Sequence, residues 1–225
     1  MSNSPATTMN SHTMKSPIRT LTLLLCSSLH LSSYGSGKLA PTTQSLCSTP
    51  DLADSYVLAL SWQPTFCQSH PNRPECQAHN QLKDQADHFT LHGLWPDQAR
   101  CHKRYTMCGA YQQEPTSFCD YPPVPISTRT REQLERIMPS AKYGSCLQRH
   151  EWYKHGTCQT TMNADRYFQL AIKLTSEFNQ SNIMRFMANH LGHTVKVSDF
   201  ITVFDQTFGD MRHQQLKLQC RGNKI

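Results

Sequence analysis

The chain has no long apolar run. Its most hydrophobic early stretch, residues 21–26, is far shorter than the roughly 20 residues that cross a bilayer, and nothing later approaches that length. No membrane span is therefore expected. Also missing are a run of Lys or Arg that would mark a DNA-binding tail, an internal repeat, and the strand-helix-strand alternation that builds parallel sheets. No C-x2-C pair marks a zinc knuckle. Apolar residues are sparse, at 37%, with a mean hydropathy of −0.58. Disorder does not follow, because Tyr, Phe, Leu and Ile recur at regular spacing through residues 56–218.

What is present begins with a targeting pattern. Lys15 and Arg19 precede the short apolar run, and the small residues Ser32, Ser33, Gly35 and Ser36 follow it, as in a secretory signal. We read residues 1–35 as a signal peptide, 36–54 as a Ser/Thr/Pro-rich mobile linker, and 55–225 as one folded domain. The mature protein is then periplasmic or secreted. Removing residues 1–35 takes away Lys15 and Arg19 and no acid, so a formal charge of +6 becomes +4. That balance tolerates a polyanionic partner without demonstrating one. Of ten cysteines, one (Cys26) lies in the signal, which leaves nine: Cys47, Cys67, Cys76, Cys101, Cys108, Cys119, Cys146, Cys158 and Cys220. In an exported chain they read as a disulfide framework, with Cys67 and Cys76 the natural local pair and one cysteine left over.

Residues 56–62 and 88–92 have strand character, and Pro122, Pro123 and Pro125 keep the 96–128 region out of regular helix. Helical signals follow. Thr130 and Gln133 form a capping box before Leu134, Ile137 and Met138, with Pro139 as the stop. Tyr167, Leu170, Ala171, Leu174 and Phe178 share one helical face, Ile183 to Leu191 continue until Gly192, and Ser198 caps a last helix ending at Gly209. Residues 216–220 alternate as a strand. Strands first and helices afterwards predict an α+β domain with a mainly antiparallel sheet and several helices packed on it.

The chemistry concentrates in residues 150–158, HEWYKHGTC. A metalloprotease helix needs histidines four apart, as in H-E-x-x-H; His150 and His155 are five apart, about 140° around a regular helix. On that helix Glu151 pairs with His155 and His150 with Lys154 at i, i+4. A carboxylate that orients an imidazole, beside an ammonium, suits acid/base work on a phosphodiester, with Lys154 opposing the charge of a phosphorane. In-line displacement calls for a second imidazole, and His92 in FTLHGLWPD (residues 89–97) is the candidate. Trp95 beside it is placed to stack on a base.

These two segments, FTLHGLWPD and HEWYKHGTC, closely resemble the two active-site segments of the ribonuclease T2 family, and residues 56–62 resemble its first strand, most nearly in the bacterial periplasmic ribonuclease I branch. The resemblance implies a metal-independent endoribonuclease without cofactor that acts on single-stranded RNA and spares DNA; a monomer is expected. His155 would be the base on the 2′-hydroxyl and His92 the acid on the leaving 5′-oxygen, giving a 2′,3′-cyclic phosphate. Glu151 and Lys154 would support the transition state, His150 would bind phosphate, and Trp95 and Asp97 would contact a base. It also suggests a bridge from Cys158 to Cys101 or Cys108. The chain departs from the family in stopping soon after residue 220, where the family continues with more strand and another cysteine. The alternative reading is a truncated, catalytically weak or inactive RNA-binding relative of the same fold.

Overall fold

The computed structural model describes residues 46–77 and 88–219. The expected signal at 1–35, the first part of the linker, His79 and Cys220 lie outside these residues; everything below concerns the unit Ala40–Ile225.

Two antiparallel strands, β1 (Ser55–Trp62) and β2 (Phe89–Asp97), form the sheet found among the described residues. β2 is longer than the sequence suggested: it continues past His92 through Gly93 and Pro96 to Asp97. Pro96 is tolerated because a two-stranded sheet has only edges, where a missing N–H need not break a ladder. The pairing contains an irregularity that matters for the site. Leu60 faces Leu91 and Ala59 faces Gly93, so His92 is an extra residue with no partner on β1. Such a bulge shifts the alternation of faces. Leu91 and Leu94, three apart, therefore both enter the core at 2% and 1% exposure, while His92 is freed from the ladder.

Most helices follow the strands, and the fold is α+β as expected. Two short helices, α1 (Gln63–Ser69) and α2 (Pro74–Gln77), lie between β1 and β2; after β2 the chain forms α3 (Thr128–Ile137), α4 (Pro139–Lys142) and α5 (Leu147–His150). Then come α6 (Ala164–Asn179), α7 (Asn182–Asn189) and α8 (Val197–Phe208). The main core joins Leu91 and Leu94 of β2 to Leu134 of α3, Met138, and Tyr167, Phe168 and Ala171 of α6. Burying each large side chain contributes on the order of 1.5–3 kcal/mol. Tyr167 also donates its hydroxyl to the Leu94 carbonyl, so the helix is pinned to the strand that carries the site. A second core unites Trp62 and Phe89 with Ile183, Met187 and Phe200.

Some local expectations are corrected. α3 is capped by Ser127, whose hydroxyl accepts from the Thr130 amide, rather than by Thr130. α8 begins at Val197 with no side-chain cap, so Ser198 lies inside its first turn. Residues 216–219 form no strand; they follow a 3₁₀ turn at Arg212–Gln215, and Leu216 and Leu218 pack on the second core. Their alternation reflects one face packed against helices instead of a ladder. The described part of the linker is tethered: Cys47 is bridged to Cys101, the Asp51 carboxylate accepts from the Thr160 amide at 2.6 Å, and the Asp51 amide donates to the Cys158 carbonyl at 3.0 Å.

Four disulfides are present among the described residues: Cys47–Cys101, Cys67–Cys76, Cys108–Cys158 and Cys119–Cys146. The local pair is as expected, and of the two partners open to Cys158 the structure selects Cys108.

Candidate active site

β2 and the segment after α5 meet to form the site. That segment, Glu151–His155, is a π-helical turn followed by a 3₁₀ turn, Gly156–Cys158. The wider turn overturns the regular-helix phase expected from the sequence. A π turn places residues five apart as neighbours, and the His150 and His155 rings lie 6.0 Å apart, edge to face. The spacing argument against metal ligation by these residues is thereby removed: His150, Glu151 and His155 each offer a ligand atom within 4.8 Å of the others.

Several contacts hold the turn in place. Met107 donates its amide to the Lys154 carbonyl at 2.8 Å, and Cys108–Cys158 closes the same junction. The buried Tyr105 hydroxyl donates toward the Thr49 and Cys158 carbonyls, at 2.9 and 3.1 Å. Just upstream of the turn, Arg149 donates to the carbonyls of Cys119 and Tyr121, at 2.8 and 2.7 Å. Gly156 has no room for a side chain, because a Cβ there would come 2.4 Å from the Trp152 ring.

Glu151 is fully buried at the centre. Its Oε2 accepts from the Trp95 indole N–H at 2.7 Å, and its Oε1 lies 3.6 Å from His92 Nε2. The carboxylate thus faces His92 rather than orienting His155, contrary to the i, i+4 expectation. Trp95 likewise serves the protein: its ring stacks on His155 at 5.2 Å and 29°, and meets His92 edge to face at 5.8 Å. One indole therefore touches both imidazoles and the carboxylate, where the sequence had suggested a free platform for a base. Asp97 ends β2 opposite Ser55, half-buried, two residues beyond Trp95.

Two further side chains were not singled out from the sequence. Phe118 stacks on His150 at 4.1 Å. Glu114, in the stretch between Cys108 and Cys119, accepts from Lys154 Nζ through Oε1, while its Oε2 lies 3.8 Å from His150 Nδ1. In sequence it is one acid beside a proline, with nothing to distinguish it from a surface charge.

The electrostatics follow from burial around one ammonium. Burial pushes the Glu151 carboxyl up to about 8, against the Trp95 hydrogen bond and the Lys154 charge that favour its anion. Burial first, and then the Lys154 charge, lower His155 to about 3 and His150 to about 4. His92, whose side chain keeps 42% of its surface open, is also lowered, by desolvation and then by Lys154. Burial opposes ionisation of Glu114, but its bond to Lys154, the charge of Lys154 and that of His150 hold its carboxyl below the usual range. Around neutral pH these shifts favour uncharged imidazoles and a protonated Glu151 in the free site.

Residues 53–224 match the model of the ribonuclease T2 family. The chain is 33% identical to ribonuclease I of Escherichia coli over 190 residues, 76% of this chain and 70% of that protein. It is 36% identical to a ribonuclease of Aeromonas hydrophila over 54% of this chain and 44% of that one, and 24% identical to human ribonuclease T2 over 73% and 57%. A solved structure, the SF11-RNase of Nicotiana alata, aligns with a TM-score of 0.46 and 21% identity over 67% of this chain and 71% of its own. With the family's model matched over residues 53–224 and a ribonuclease I relative aligned over three quarters of the sequence, the chain belongs to the ribonuclease T2 family, as a T2-type endoribonuclease.

Proposed function

We propose that the protein is an exported, monomeric endoribonuclease, its domain spanning 55–225, that cleaves single-stranded RNA by transesterification without a metal. The observation that carries this reading is the grouping of His92, Glu151 and His155 around the Trp95 ring, with Lys154 at the edge. His155, neutral across the working range, takes the proton of the ribose 2′-hydroxyl. The 2′-oxygen attacks phosphorus, the P–O5′ bond breaks, and His92 gives its proton to the departing 5′-oxygen. The products are a 2′,3′-cyclic phosphate and a 5′-hydroxyl, and DNA, which has no 2′-hydroxyl, is spared.

Glu151 solves a difficulty in this scheme. The acid must arrive protonated, yet desolvation disfavours the imidazolium form of His92 in the free enzyme. A bound phosphodiester adds negative charge, which favours imidazolium. Glu151 Oε1 stands 3.6 Å from His92 Nε2; once the two close to hydrogen-bond distance, the Glu151 proton can pass to His92 and leave a carboxylate that stabilises it. Lys154 and His150 receive the phosphate oxygens, Trp95 shapes the base-side wall, and Asp97 lies near the base.

The test is RNA digestion by the oxidised protein in EDTA, with the ends analysed for cyclic phosphate. His92→Ala and His155→Ala should each lower kcat by about 10²–10⁴. Near-normal cleavage by either variant, or loss of activity with chelator alone, overturns the proposal.

A further inference from the structure

We propose that Glu114 is a built-in occupant of the phosphate subsite, which RNA must displace before its own phosphodiester can reach Lys154 and His150. The inference rests on the reading of those two residues as phosphate contacts. Its direct support is that one carboxylate addresses both groups at once: Oε1 accepts from Lys154 Nζ, and Oε2 stands 3.8 Å from His150 Nδ1, a buried nitrogen without a hydrogen bond. A carboxylate offers two acceptor oxygens and one negative charge, and so do the non-bridging oxygens of a phosphodiester. His150 Nδ1 has at most one N–H to offer, and two anions gathered around Lys154 repel each other, so the two compete.

The surroundings suit an occupant that comes and goes. The Glu114 side chain is 40% exposed, so its pair with Lys154 is weak enough for an incoming anion to break. Residues 109–117 contain no helix or strand, while the cysteines flanking them are fixed, Cys108 to Cys158 and Cys119 to Cys146. The ends of the segment are thus held at the site, Tyr111 is held by ring contacts with Tyr121 and Tyr153, and the withdrawal asked of Glu114 is a swing of its exposed side chain. With Glu114 seated, Lys154 is neutralised; with Glu114 withdrawn, its full charge faces the substrate. Glu114 thereby sets how tightly the site takes phosphate.

The experiment compares the full oxidised wild-type chain with E114Q and K154A, using inorganic phosphate as a competitive inhibitor of RNA cleavage and, independently, in calorimetric titration. E114Q keeps the size of the side chain while removing the competing charge. Its dissociation constant for phosphate and its KM for RNA should both fall by roughly three- to tenfold. K154A should weaken phosphate binding. If phosphate binding is lost in K154A but is unchanged or weaker in E114Q, Glu114 instead positions Lys154, and the inference is overturned while the site reading stands. If K154A binds phosphate as wild type does, the phosphate subsite itself is misplaced and both fall. A matching urea midpoint for E114Q and wild type shows that the comparison is between folded proteins.

Discussion

Glu151 occupies the space a side chain on Gly93 would need: a Cβ built there would lie 1.9 Å from Oε2 and 2.6 Å from the Trp95 indole nitrogen. Neither atom can retreat cheaply, since the carboxyl is fully buried and bonded to that indole. Gly93→Ala should therefore displace the carboxyl from both Trp95 and His92. We expect kcat to fall by at least about 100-fold with a smaller change in KM, because misplaced groups at the reacting centre cost transition-state stabilisation first. Steady-state cleavage of a dinucleotide checks this, and a variant with wild-type kcat would show that Glu151 placement is irrelevant.

The sequence made the fold class and the inventory of site groups legible, because both rest on local signals: apolar spacing along α6, turn residues, and two dense motifs. It did not make their mutual geometry legible. The phase of residues 150–155 is not legible, since nothing in HEWYKH marks a π turn; the wider turn is held by tertiary contacts such as the Met107–Lys154 backbone bond. Likewise the bulge at His92 depends on register with β1, a long-range property. Glu114 was invisible because one exposed acid has no pattern of its own.

Trp95 links the acid, the base and the carboxylate, which makes its indole N–H testable apart from its ring. Trp95→Phe keeps an aromatic face for His155 but leaves Glu151 Oε2 without its buried donor. Since that bond favours the carboxylate, its loss should raise the Glu151 pKa beyond about 8. The alkaline limb of the kcat profile should move upward, with kcat falling by about tenfold. A rise in KM with an unmoved pH profile would instead mark Trp95 as a base platform only.

Glu151 also predicts a dependence of stability on pH. Its folded pKa, about 8, stands above its unfolded value near 4.5, so between these the folded state holds a proton that the unfolded chain has released. Stability from this group is full below about 4.5 and is lost as pH rises toward 8. His155 and His150, depressed to about 3 and about 4 from 6.5, act the other way and add stability as pH climbs to 6.5. Thermal midpoints should therefore decline between pH 6.5 and 8.5 in the wild type. Glu151→Gln, which retains an acceptor for Trp95 but cannot titrate, should hold nearly level; parallel declines in the two proteins would contradict the assignment.

The last prediction concerns what holds the π turn. Cys108–Cys158 closes a separation of 50 residues and sits against the carbonyl-bonded junction of Met107 and Lys154, whereas Cys67–Cys76 closes only 9 and staples α1 to α2. Chain entropy alone assigns the first about 4 kcal/mol and the second about 2.5 kcal/mol. Replacing each pair by serines should thus lower urea stability in both, more for Cys108–Cys158. Only that pair should also lower kcat under conditions where the protein remains folded, because Lys154 and His155 lose one of the restraints on their backbone. Equal losses of cleavage from the two double variants would mean that the bridges act through global stability and that the turn keeps its shape without the covalent tie.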